Sequence, residues 1–136
     1  LLCGPEKMIE NSDVSRLHLK ENLYMKVEQI NELSDQGHII GLHSHNHHTN
    51  IISLTRKEQL EEYTLNFNAI ESITNKKPFS MSHPCNLYNK NILNILDSLG
   101  IILGFRANTL GNYDSVYELP RHNHTNLMKE INLKNF

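Results

Sequence analysis

Four of the nine histidines fall within six positions, at His43, His45, His47 and His48. Neutral or partly charged imidazoles gain little by packing side by side. What they supply is ligand nitrogens for a divalent metal, or proton donors and acceptors, near neutral pH. A single histidine reads as a surface or core filler; a cluster points to metal or acid–base chemistry. Three pairings are open. His43 and His47 are four apart, so one helical turn or a tight loop brings both rings to one side. His43 and His45 share a face only if a strand continues through them. His45 and His48 require a turn shifted by two residues. A histidine-rich storage segment would instead take up several metals per chain.

The elements around the cluster predict where it sits. Gly37-His38-Ile39-Ile40-Gly41-Leu42 reads as a turn and a short apolar strand, so the histidines leave a strand end, where α/β sheets and barrels build their sites. Leu1 to Cys3 reads as an earlier strand closed by Gly4-Pro5. The spacing of Leu23, Val27, Ile30 and Leu33 predicts a helix over 21–36, ended by Gly37. Thr55-Arg56-Lys57-Glu58 has the form of a capping box. It starts a helix to about Thr74 with Leu60, Tyr63, Phe67, Ile70 and Ile73 as its buried face, stopped by Asn75-Lys76-Lys77-Pro78. Phe79 to Met81 reads as a strand. Asn89 caps a helix carrying Ile92, Leu93, Leu96 and Leu99, and Gly100 ends it. Ile101 to Phe105 reads as a strand buried on both faces, Val116 to Leu119 as a last strand, and Thr125 to Ile131 as a terminal helix. Alternating strands and helices predict an α/β fold with a parallel sheet or part of a barrel. The polar segments 43–48, 82–88, 106–112 and 121–124 each follow a strand and are expected to line one rim.

At 136 residues the chain is expected to be one domain, 1–136, with a real core. A net charge of −2 offers no basic footprint for nucleic acid or an anionic membrane. No apolar run approaches the about 20 residues that span a bilayer. Cys3 and Cys85 make no disulfide framework. Opening on Leu1-Leu2-Cys3-Gly4 as if within a strand, the chain is expected to lack an N-terminal part. The compartment, cytoplasm or cell envelope, is left open.

Three stretches resemble the polysaccharide deacetylase family, metal-dependent carbohydrate esterases that remove N-acetyl groups from sugars. They are Gly37-His38-Ile39-Ile40-Gly41-Leu42-His43-Ser44-His45-Asn46-His47, then Phe79-Ser80-Met81-Ser82-His83-Pro84-Cys85-Asn86-Leu87-Tyr88-Asn89, then Leu119-Pro120-Arg121. The last is similar to a segment of members linked to surface-polysaccharide synthesis. The resemblance implies a distorted (β/α) barrel, incomplete here at the N-terminus, a carbohydrate substrate and a divalent metal, zinc in many members. It carries over His43 and His47 as metal ligands and Ser44 as the brace of their loop. Pro84 falls in the groove wall, the Cys85 N–H faces the oxyanion, and Arg121 and Ser44 lie at the substrate. His124, with His122, is the candidate general acid.

The chain also departs from the family pattern. The Thr-Phe-Asp-Asp motif that supplies the catalytic base and third ligand is absent, and no Asp-Asp pair occurs anywhere. Ser82 stands where the second motif has arginine, and Asn86 where it has glycine. The function expected is therefore N-deacetylation of a polysaccharide or sugar intermediate by the full-length enzyme, this chain alone being inactive. The alternative is a catalytically inactive metal- or carbohydrate-binding remnant of the same fold. For Cys85 two other readings stand: a nucleophile activated by His83, or an inert buried thiol.

Overall fold

A computed structural model describes residues 24–122 and 124–133. The expected strand at Leu1 to Cys3, and Leu23 of the first helical stripe, lie outside them. Helix α1 spans Val27–Asp35 and α2 Arg56–Thr74; strand β1 is Ser80–Ser82, α3 is Lys90–Ser98, β2 is Leu103–Phe105 and α4 is His124–Leu133.

The two strands pair in parallel, Ser80 opposite Leu103, Met81 opposite Gly104 and Ser82 opposite Phe105. Single parallel bridges extend the arc on both sides, Leu42 to Met81 and Phe105 to Leu119. Four extended segments thus stand side by side in chain order. The Leu42 amide donates to Ser80 O and the Ser82 amide to Leu42 O, both at 2.9 Å. One face of the arc, including Leu42 and Met81, packs on the helices. Tyr63 and Ile70 of α2, Ile92, Ile95 and Leu96 of α3, and Ile51 and Ile101 complete this core. The other face carries Ile39, Gly41, His43, Ser80, Ser82 and Phe105 and opens onto a cleft.

The boundary signals act as their chemistry requires. Thr55 Oγ1 accepts from the Glu58 amide, and the Glu58 carboxylate accepts from the Thr55 amide at 2.7 Å. Asn75 closes α2 in the left-handed conformation. Asn89 Oδ1 accepts from the Ile92 amide at 3.1 Å at the start of α3. Gly37 and Gly100 take positive φ after α1 and α3.

Several expectations need correction. The first helix starts at Val27 rather than at Glu21, and Val27 itself is half-exposed. Leu60 lies on the exposed edge of α2 rather than in its buried face. The apolar run at 101–105 is not a strand buried on both sides: Ile101 is 1% exposed and Ile102 58%. Its strand is only Leu103–Phe105. The last strand shrinks to a bridge at Leu119. Ser115 folds the preceding residues into a turn: its hydroxyl accepts from the Tyr117 amide and its carbonyl from the Glu118 amide.

That turn lies directly on β2. A Cβ built on Gly104 would stand 2.5 Å from Tyr117 O and 2.7 Å from Tyr117 Cα. Both obstacles are backbone, so neither can rotate away. Gly104→Ala is expected to lower stability by about 1–3 kcal/mol, as overpacking does. Urea unfolding monitored by circular dichroism checks it; an unchanged midpoint would contradict the packing described.

Candidate functional site

The His43–His48 loop begins where the Leu42 bridge ends. It leaves the sheet through two left-handed non-glycine residues, Ser44 at φ 60° and His47 at φ 50°. The backbone reversal brings the two rings together with centroids 4.8 Å apart and planes tilted by 54°. Of the three pairings open in the sequence, the structure forms His43 with His47. Ser44 is buried, and its Oγ accepts the His47 amide at 3.1 Å.

His43 is oriented from the next segment of the arc. Its Nδ1 lies 2.8 Å from Ser82 O. A carbonyl only accepts, so Nδ1 carries the proton and Nε2 keeps its lone pair. Partial desolvation holds the His43 pKa below the usual imidazole value. The Ser82 hydrogen bond opposes that shift, and the nearby charges of His47 and Arg121 add to it. The neutral, ligand-competent form is therefore favoured at pH 7.

The donors present suit one side of a metal site. Two imidazoles sharing a tetrahedral zinc, at about 2.0–2.1 Å per Zn–N bond, hold their ring centres about 5 Å apart. A ring N–H fixed on a backbone carbonyl is the usual outer support of such a ligand. Among the described residues no three His, Cys, Asp or Glu side chains gather as a metal-binding set.

The cleft beside His43 has a volume of about 400 Å³ and is lined by Ser80, Ser82, Phe105 and Arg121 among others. The polar segments expected along one rim are tied to each other there. Asn86 Oδ1 accepts the Ala107 amide at 2.7 Å. Arg121 donates from Nε to Arg106 O at 3.2 Å, and its amide donates to Asn108 O. Pro84 is buried in the turn after β1. Cys85 and Asn86 follow in consecutive left-handed conformations. That backbone explains why asparagine can stand where the resembling motif has glycine, since Asn visits the left-handed region more readily than most residues.

Cys85 is a free, exposed thiol, which removes the reading of an inert buried one. His83 cannot activate it as a cation. The ring is 1% exposed, stacks on Tyr88 at 4.1 Å, and lies with Nε2 2.8 Å from Tyr117 O. Burial pushes its pKa down to about 4, against the Tyr117 hydrogen bond and the Glu118 charge. His124 starts α4, exposed and outside the residues that line the cleft. His122 Nδ1 lies 3.6 Å from Glu130 Oε1.

The sequence reading did not find the residues that hold the loop. Asn66 Oδ1 accepts the His43 amide at 2.9 Å. The Glu62 carboxylate accepts the amides of His45 and Asn46 at 3.2 and 2.9 Å. Gln59, fully buried, donates from Nε2 to Ile51 O at 3.1 Å. All three lie on α2 at spacings of three and four, a polar stripe at helical period beside the apolar one. That stripe was the available signal.

With this geometry established, the comparisons assign the family. Residues 10–103 match the polysaccharide deacetylase family, and the chain belongs to it. Among solved structures, the chain is similar to the Streptococcus pyogenes deacetylase PplD in complex with acetate, with 20% identity and a TM-score of 0.61 over 77% of this chain and 50% of that one. It is similar to the BpsB deacetylase domain from Bordetella bronchiseptica, with 16% identity and a TM-score of 0.62 over 72% and 48%. It is also similar to a CE4 family pseudoenzyme from Bacillus anthracis, with 22% identity and a TM-score of 0.52 over 61% and 28%. The chain thus spans half or less of the length of these structures. At such identities the likeness shows a shared fold. No curated protein sequence matches the chain.

The buried neutral His83 sets a pH dependence. Its proton is held less tightly folded, at about pH 4, than at the ordinary value of 6.5. The unfolded chain binds that proton first as pH falls, so the contribution is complete above pH 6.5 and lost between 6.5 and about 4. The loss amounts to on the order of 3 kcal/mol. Chemical denaturation at intervals between pH 7 and 4 is expected to show this decline, flattened in His83→Gln; equal slopes in both chains would contradict it.

Proposed function

We propose that the chain carries the histidine side of a metal-dependent carbohydrate deacetylase, removing N-acetyl groups from a polysaccharide or sugar intermediate of surface-glycan metabolism. The observation that carries this reading is the His43–His47 pair at the strand end, with His43 Nδ1–H spent on Ser82 O, which leaves the Nε2 lone pair for a ligand bond. His43 and His47 would hold the cation, zinc being the best match for two imidazoles and a carboxylate. When bound, the cation polarises the acetamide carbonyl and lowers the pKa of a water toward neutrality.

The remaining work falls to the chain's own groups. Arg121, at the cleft wall, contacts sugar hydroxyls or the acetyl oxygen, while Ser44 braces the histidine loop from within and Pro84 is buried under the turn after β1. The Cys85 amide, on the exposed left-handed turn after β1, donates toward the developing oxyanion. His124 is the candidate proton donor to the leaving amine. The base and the third ligand come from outside the described residues.

A second reading, an inactive metal- or carbohydrate-binding remnant, is favoured by the lack of a third donor among the described residues. Metal content and product release separate the two. The 136-residue chain is expected to bind about one zinc-class ion, lost in the His43→Ala, His47→Ala double variant, and to release no acetate from N-acetylated oligosaccharides. Supplied with upstream sequence that contains an Asp-Asp motif, it is expected to gain metal-dependent acetate release. Equal metal content in parent and double variant would sink the ligand assignment. Continued inactivity of the extended chain with metal bound would favour the remnant.

A further inference from the structure

Glu62 is 6% exposed, and burying a carboxylate is unfavourable unless its oxygens find donors. Among the described residues no lysine or arginine is paired with it. Its partners are instead three residues of the histidine loop, His45, Asn46 and His48. Oε2 takes the His45 and Asn46 amides at 3.2 and 2.9 Å; Oε1 takes Asn46 Nδ2 and lies 3.4 Å from His48 Nε2. Burial alone would raise the Glu62 pKa. The hydrogen bonds from the Asn46 backbone and side chain, the His48 charge and the His45 amide together hold it below the usual carboxylate range. The carboxylate thus remains charged at neutral pH and fully committed to the loop.

What the loop would do without it follows from its backbone. Ser44 and His47 both hold left-handed φ, each at a cost of roughly 1–2 kcal/mol for a non-glycine residue. Such conformations persist where surrounding contacts over-determine them. The two amides held by Glu62 belong to the residues between these strained positions. Asn66 holds the loop's entry at His43, and Gln59 holds Ile51 beyond its exit. Releasing the middle would let Ser44 and His47 relax toward commoner backbone angles and draw the two rings apart.

We propose that Glu62 is a positioning residue for the metal site: by clamping the His45–Asn46 amides it sets the spacing of the His43–His47 pair and hence its affinity for a divalent cation. This rests on the metal reading above, and the test separates the two. Co²⁺ is titrated into the full 136-residue chain, following the visible absorption of the ion and the circular dichroism of the metal-free protein. Glu62→Gln keeps one acceptor oxygen and the shape of the side chain. It is expected to weaken Co²⁺ binding by roughly 10- to 100-fold, as loss of outer support does, and to alter the Co²⁺ spectrum while the metal-free circular dichroism stays parental. Glu62→Ala is expected to weaken binding further. Parental affinity and spectrum in both Glu62 variants, with binding lost in His43→Ala, would overturn the positioning role and leave the metal reading standing. Equal Co²⁺ binding by the parent and His43→Ala would overturn the metal reading, and the positioning role with it.

Discussion

A loop that leaves the end of a parallel strand carries amides with no neighbouring strand to receive them. In this chain the loop from His43 to His48 must also reverse direction through two left-handed residues to bring its imidazoles together. Helix α2 meets both demands. Its Glu62 and Asn66 side chains reach the loop at His45–Asn46 and at His43, and its Gln59 holds Ile51 just beyond the loop's exit. The same helix turns Tyr63 and Ile70 into the core. One element therefore anchors the sheet's packed face and the geometry of the histidines. Disturbing either function disturbs the other.

The arc adds a second constraint across its strands. Because Leu42 and Ser82 exchange backbone contact through the parallel bridge, the residue after Leu42 lies beside the Ser82 carbonyl. That carbonyl selects the His43 tautomer. Partial desolvation then favours the neutral ring. His83, buried where His43 is exposed, is treated oppositely: it is enclosed, stacked on Tyr88 and tied to Tyr117. Two imidazoles forty positions apart are both kept neutral, one presented to the cleft and one sealed beneath it. The difference lies in side-chain alternation along an extended segment, which sends Ser82 to the cleft and His83 away from it.

Much of this was legible in the residues. The capping box at Thr55–Glu58, the Asn89 cap and the glycines after α1 and α3 are local chemistry, decided within four residues, and the structure forms them where the pattern placed them. The polar segments after successive extended segments do meet along one edge, as Asn86 with Ala107 and Arg121 with Arg106 attest. Strand extent was read less well. An apolar run such as Ile101–Phe105 does not say whether a second layer covers it, and Ile102 is exposed. The stretch before Leu119 carries strand-forming Val116, but Ser115 and its hydrogen bonds turn the backbone instead.

By itself the sequence determined that His43 and His47 could act together, since a spacing of four suits a tight reversal, and that they would stand at a strand exit. It determined the caps of α2 and α3 and the family's motifs for the same reason: each depends on neighbours close along the chain. Only the tertiary structure decided which ring nitrogen is free, that Cys85 is exposed while His83 is sealed, and that Glu62 is buried against the loop. Those outcomes depend on partners brought together by packing, Ser82 for His43, Tyr117 for His83 and α2 for the loop. No local pattern encodes a hydrogen bond whose two ends meet only once the sheet and its helices have assembled.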